Sequence, residues 1–184
     1  MEKAKTILAA VIFLMSTGCY AGIKGTVVDA ETAEPIEGAV VLVEWWKTKG
    51  PPGLTVSETY KVQEALTDKE GKVAIEGVGN PFIELAGLTI YKKGYVAWSS
   101  MYLFPSRKNR EDFKWRNNYI FKLERFKPEY SYIDHTGFIS LSIHSSKSGE
   151  RKTLMKNAYR WEELKAEEER QRIDEEKGRL KKRN

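Results

Sequence analysis

The stretch GTVVDAETAEPIEGAVVLV, Gly25 to Val43, decides the fold. It holds two β-type runs, Thr26 to Val28 and Ala39 to Val43, separated by a polar connector from Asp29 to Gly38 in which Pro35 and Gly38 are the breakers. Alternation sharpens the second run. Carried on to Trp46, it puts Val41, Val43 and Trp45 on one face and Val40, Leu42, Glu44 and Trp46 on the other. Apolar residues on both faces predict a central strand through Val43, with Glu44 and Trp46 emerging toward an edge or loop.

Outward from there, Lys47 to Gly53 (KTKGPPG) cannot continue a sheet, and β structure resumes between Leu54 and Thr67. Thr67 to Val73 reads as a hairpin with Gly71 at its left-handed position, and Val73 and Ile75 start the return strand. A further strand is expected at Leu88 to Tyr91, with Val96, Ala97 and Trp98 continuing it after Gly94-Tyr95. A last strand runs from Tyr119 to Phe126. The charged stretch Pro105–Asn118 between them reads as a solvated loop. Short strands at this spacing predict a mainly β, antiparallel, seven-stranded sandwich.

Three segments in this order, Thr26 to Val43, Thr67 to Val73 and Leu88 to Tyr95, resemble the carboxypeptidase regulatory-like domain. The resemblance covers residues 23–98 and implies a transthyretin-like (prealbumin-like) Greek-key β-sandwich. It also implies a non-catalytic module. The separate catalytic domain of metallocarboxypeptidases is missing, as is the Tyr-Arg-Gly-Ser ending of transthyretin-like hydrolases. Neither histidine lies in the β segment that carries the iron ligands of intradiol dioxygenases.

Before the sandwich, residues 1–18 read as an export signal. Lys3 and Lys5 give a positive start, and Ile7 to Met15 form an apolar run about half as long as a membrane span requires. Ser16-Thr17-Gly18-Cys19 resembles a bacterial lipobox, with Ser16 where leucine is usual. Cleavage before Cys19 would expose it for acylation, palmitate included, and each buried CH₂ would add about 0.8 kcal/mol of membrane affinity. Tyr20 in place of aspartate points to the outer membrane by resemblance to known sorting rules. Ordinary cleavage after Ala21, releasing a soluble periplasmic protein, is the alternative. The only cysteine is Cys19, so no internal disulfide forms.

Pro128 opens a C-terminal extension, giving three parts: a leader over 1–18, a sandwich over 19–127 and a helical appendage over 128–184. Tyr132 to His144 alternates like a strand yet reads as a helix with Asp134 as N-cap. After Gly149, Leu154, Ala158, Trp161 and Leu164 follow helical spacing, with Met155 and Tyr159 beside them. Glu168–Arg172 and Glu175–Arg179 are acid-first pairs that support an exposed helix. Beyond Lys165 little apolar face remains.

The 184 residues carry a net charge of +5. The excess sits in a tail of mixed sign, a poor footprint for nucleic acid. The two histidines, His135 and His144, are nine apart, do not share a helical face and read as surface or packing residues rather than metal ligands. No Gly-x-Ser-x-Gly elbow occurs. The expected function is a lipid-anchored envelope module that scaffolds a protein partner and uses no cofactor. Carbohydrate binding through exposed aromatics, with Trp45, Trp46 and Trp98 as candidates, is the second reading, and a hydrolase the third.

Overall fold

Strand β2 (Val40–Lys49) is the axis of the molecule. In the computed structural model, which describes residues 22–51, 53–78, 83–143 and 153–182, it pairs on both sides. Its neighbours are β3 (Val56–Leu66) and β5 (Glu84–Tyr91), and β6 (Trp98–Ser99) completes a sheet of order β3-β2-β5-β6. A second sheet, of order β4-β1-β7, contains β1 (Ile23–Asp29), β4 (Lys72–Ile75) and β7 (Tyr119–Leu123). The helices α1 (Tyr132–Ser142) and α2 (Thr153–Lys181) follow. The protein is thus mainly β, a sandwich of three and four strands with C-terminal helices. Cys19 and His144 lie outside the described residues. Among those described, no helix is long and apolar enough to cross a membrane.

The alternation in β2 sets the layers. Val41, Val43 and Trp45 face the three-stranded sheet and join Val27, Val73, Ile75, Phe121 and Leu123 in the inter-sheet core. Val40 and Leu42 face the other way and meet Phe138, Ile139 and Met155 of the helices, with Tyr91 and Ala97, in a second core. The four-stranded sheet is therefore covered on both faces. Each of the buried side chains Phe138, Ile139 and Met155 contributes roughly 1.5–3 kcal/mol by leaving water.

Several expectations need correction. Glu44 does not emerge: β2 is still flanked at that point by Val62 and Gly87, and Glu44 is buried. The sandwich is not wholly antiparallel, because β7 pairs parallel to β1, from Gly25↔Tyr119 to Asp29↔Leu123. The long excursion between these strands permits that direction, which a tight turn would forbid. Residues 67–73 make the expected turn but not a hairpin. Gly71 donates to the Asp68 carbonyl at 2.9 Å, while β3 and β4 belong to different sheets. Gly71 has φ +70°, and a Cβ there would lie 2.4 Å from the Val27 carbonyl oxygen. Trp98 does not continue the preceding strand. It turns back in β6 and pairs antiparallel with β5 through Ile90↔Trp98.

The appendage is helical as expected, with three revisions. Ser131, not Asp134, is the N-cap of α1, and its hydroxyl accepts from the Asp134 N–H at 3.2 Å. Asp134 sits inside the first turn, where a carboxylate also faces the positive end of the helix. On α2 the buried stripe is Met155, Glu162 and Ala166, whereas Leu154 and Leu164 are exposed. The apolar spacing found the packed side through Met155, Ala158, Tyr159 and Trp161 but missed its centre, because a glutamate occupies it. Arg179 lies 3.8 Å from Glu175 as anticipated, whereas Glu168 pairs with Lys165 at 2.7 Å. From Arg170 to Lys182 the helix and its end are exposed.

Candidate functional site

Two polar arrangements stand out, one closed and one open. The closed one fastens the helices to the sandwich. Glu162 of α2 is 1% exposed, and His135 of α1 is fully buried. Their side chains meet at 2.6 Å, His135 Nδ1 to Glu162 Oε2. The Ala97 N–H donates to His135 Nε2 at 2.8 Å. A backbone amide can only donate, so Nε2 is an acceptor and the ring proton sits on Nδ1, aimed at the carboxylate. The second carboxylate oxygen accepts from the Tyr91 hydroxyl of β5 at 2.9 Å, and the Trp161 indole N–H donates to that hydroxyl at 2.7 Å. Burial, followed by the negative charge of Glu162, pushes the Tyr91 hydroxyl far above its ordinary pKa, so it stays a donor.

Capping completes the attachment. Glu64 of β3 accepts from the Leu154 and Met155 N–H groups at 2.9 and 2.8 Å, closing the start of α2. Glu169 of α2 accepts from Tyr132 and Ile133 at 2.9 and 3.2 Å, closing the start of α1. Each carboxylate sits at the positive end of a helix, where such charge is stabilising. His135 and Glu162 have their bonding capacity turned inward, so this cluster holds structure together and presents nothing to a substrate. Sequence spacing did not reveal it. The one available signal was an acid placed seven residues after Met155 and four before Ala166, on a single helical face.

A second ion cluster locks the quoted connector. Asp29 Oδ1 accepts from Glu31 and Thr32 N–H groups at 2.8 and 3.1 Å, and Oδ2 from Tyr95 at 3.0 Å and Arg125 Nε at 2.7 Å. The Thr32 amide first, then Glu31, Arg125 and Tyr95, hold its carboxyl down to about 2 against the opposing effect of burial.

The open arrangement is a cleft of about 800 Å³ beside β7. It is lined by Val96, Ala97 and Trp98, by Leu103 and Phe104, and by Tyr119, Ile120 and Lys122 of β7. The 100–118 loop closes one end, and it is folded rather than merely solvated. Arg110 donates to the Ser99 carbonyl at 2.6 Å, stacks 4.6 Å over Trp98 and pairs with Asp112 at 3.3 Å. Phe113 and Trp115 turn inward against the core, where Phe113 meets Trp98 edge-on at 5.1 Å. The exposed Arg116 lies 5.0 Å over the ring of Tyr119.

The three candidate tryptophans are not gathered in one place. Trp45 is 6% and Trp98 7% exposed, both in the inter-sheet core, so neither offers a face for stacking on a sugar. Trp46 is half-buried, with its ring over Gly87, where a Cβ would come within 2.7 Å. The bulge between Trp45 and Trp46 re-aims the second ring. Of the three, only Trp98 touches the cleft. The charged run that holds Arg110 and Arg116 reads in sequence as a solvated loop, and its meeting with the edge of β7 is hidden there because the cleft is assembled from segments distant in sequence. Among the described residues, no three His, Cys, Asp or Glu side chains are grouped to hold a metal ion.

No known family pattern and no curated protein matches the chain. Among solved structures it is similar to a streptococcal ancillary pilin, at 16% identity and a TM-score of 0.31. That match covers 59% of this chain and 30% of the pilin chain, so the chain spans less than a third of that protein.

Proposed function

We propose that this is an exported envelope lipoprotein, acylated at Cys19, whose β-sandwich is a non-catalytic interaction module. In this reading the sandwich is of the carboxypeptidase regulatory-like, Greek-key kind, and it sits on the outer membrane facing a protein partner in the envelope. The observation that carries the reading is the position of β1. Residues 20–22 alone separate Cys19 from Ile23, the first residue of the central strand of the three-stranded sheet. An acyl anchor there would hold the folded domain against the bilayer without a flexible spacer. Confinement of that kind turns a weak contact with a neighbouring envelope protein into an effectively intramolecular one. The inward-turned His135–Glu162–Tyr91 cluster favours a binding role over a hydrolytic one.

The test is Cys19→Ser with membrane fractionation of the full chain. The parent should partition with the membrane, and the variant should appear in the soluble fraction. Retention of the variant in the membrane would overturn the anchor. Crosslinking of the native envelope then asks for a stoichiometric protein partner, and recovery of glycan alone would replace the scaffold with carbohydrate binding.

A further inference from the structure

The geometry points to a peptide-binding site along the free edge of β7, where an extended segment of a partner protein, acidic in its C-terminal half, adds as a strand. The inference rests on the interaction-module reading and names the surface and the chemistry of its partner. β7 is the outermost strand of its sheet, and its backbone groups face two ways in turn. The Leu123 carbonyl accepts from Ala30 on the β1 side. One residue on, the Glu124 carbonyl accepts from Val96, and the Phe126 N–H donates to Gly94, both on the side away from β1. By the same alternation Ile120 and Lys122 direct their N–H and C=O groups away from β1, into the cleft.

The segment Gly94–Val96 therefore begins an antiparallel ladder on β7, marked by the Tyr95↔Arg125 bridge. It leaves that ladder at Ala97, crossing to the other sheet to form β6. Beyond that crossing the edge is uncovered beside a cleft large enough for several residues. Unpaired edges of this kind are templates for strand addition, main-chain bonds giving affinity and flanking side chains giving specificity.

Direction and charge follow from the ladder. A guest that continues it runs antiparallel to β7, its N-terminal end beside Glu124 and Lys122 and its C-terminal end beside Asn118 and Arg116. Asp112 is already paired with Arg110. The exposed Arg116 thus stands at the guest's C-terminal end and selects carboxylates there, while Lys122 and Glu124 lie side by side at its N-terminal end and offset each other.

The test uses the full chain in detergent and a short fluorescent peptide of alternating valine and threonine whose C-terminal half carries glutamates. A peptide with lysines in those positions is the control. In the free protein, the Ile120 and Lys122 amides should exchange rapidly with solvent while Phe121 and Leu123 are protected. Adding the acidic peptide should protect Ile120 and Lys122. Ile120→Pro removes a donor that the sandwich itself does not use, and should weaken binding about tenfold or more. Arg116→Glu leaves the backbone intact and should reverse the preference between the two peptides, whereas Lys122→Glu should not. Slow exchange of Ile120 and Lys122 in the free protein would overturn the proposal. Equal binding of both peptides, or binding untouched by every variant, would do the same. Because membrane attachment plays no part in this assay, its failure leaves the Cys19 anchor standing, and loss of the anchor leaves the edge site standing.

Discussion

Replacing Glu162 by Gln tests whether the buried cluster is what holds the helices on the sheet. The side chain keeps its shape, so packing around Met155 and Ala166 is unchanged. What changes is the count of acceptors. Two donors, His135 Nδ1–H and the Tyr91 hydroxyl, converge on two separate carboxylate oxygens. An amide offers one oxygen and one NH₂: the oxygen takes the His135 proton, the NH₂ can donate only to the Tyr91 oxygen, and the Tyr91 hydroxyl proton is left without an acceptor in a buried site. The His135 ring cannot relieve the conflict by changing tautomer, since the Ala97 N–H already occupies its other nitrogen. An unsatisfied buried donor costs about 1–3 kcal/mol, and the lost charge assistance adds to it. The expected destabilisation is about 3 kcal/mol, or roughly 6–12 °C in Tm for a domain of this size. Urea unfolding followed by tryptophan fluorescence measures it directly, with Trp161 as a reporter at the cluster. A double-mutant cycle with Tyr91→Phe gives the sharper reading. In the Glu162→Gln background the phenylalanine removes the hydroxyl that has lost its acceptor, so the two effects should fall short of additivity by about 1 kcal/mol or more. A Glu162→Gln variant within about 0.5 kcal/mol of the parent, or strictly additive effects, would refute the reasoning.

The pH profile should carry the signature of Asp29. Its carboxyl is held down to about 2 in the fold against an ordinary 3.8, so its contribution is complete above about pH 4 and disappears as pH falls toward 2. Asp29→Asn should flatten that limb of a stability–pH curve measured by urea titration, and an unchanged limb would show that other carboxylates govern it. Gly71→Ala should destabilise by more than about 1 kcal/mol, because it forces a side chain into a left-handed φ and against the Val27 carbonyl. Thermal unfolding of that variant within a degree of the parent would mean the turn can rearrange at little cost.

What was legible in the sequence was whatever a local pattern can encode. The two faces of β2 followed from alternation alone, since a pleated strand leaves no other choice. The turn at Asp68–Gly71 was equally local, but which sheet its exit strand would join was not. That depends on where Val73 and Ile75 find apolar partners. The tryptophans were ambiguous for a related reason. Trp45 and Trp98 look like loop-flanking aromatics on paper, yet their size makes them the best filling for the inter-sheet core. Glu162 was hidden because an acid at the centre of a buried helical stripe contradicts the amphipathic rule that finds such stripes. Its partners His135 and Tyr91 lie 27 and 71 residues away. The cleft was out of reach altogether, being an absence of pairing rather than a pattern of residues.

The parallel pairing of the first strand with the last has a mechanical side. Five register pairs join β1 to β7, from Gly25↔Tyr119 to Asp29↔Leu123. A pull applied at the start of β1 and resisted beyond the end of β7 runs along both strands in opposite senses. The rungs between them are then strained together, as in a lap joint, instead of parting one after another like a zip. Tension entering at residue 22 and leaving past residue 123 would meet its stiffest resistance at this seam.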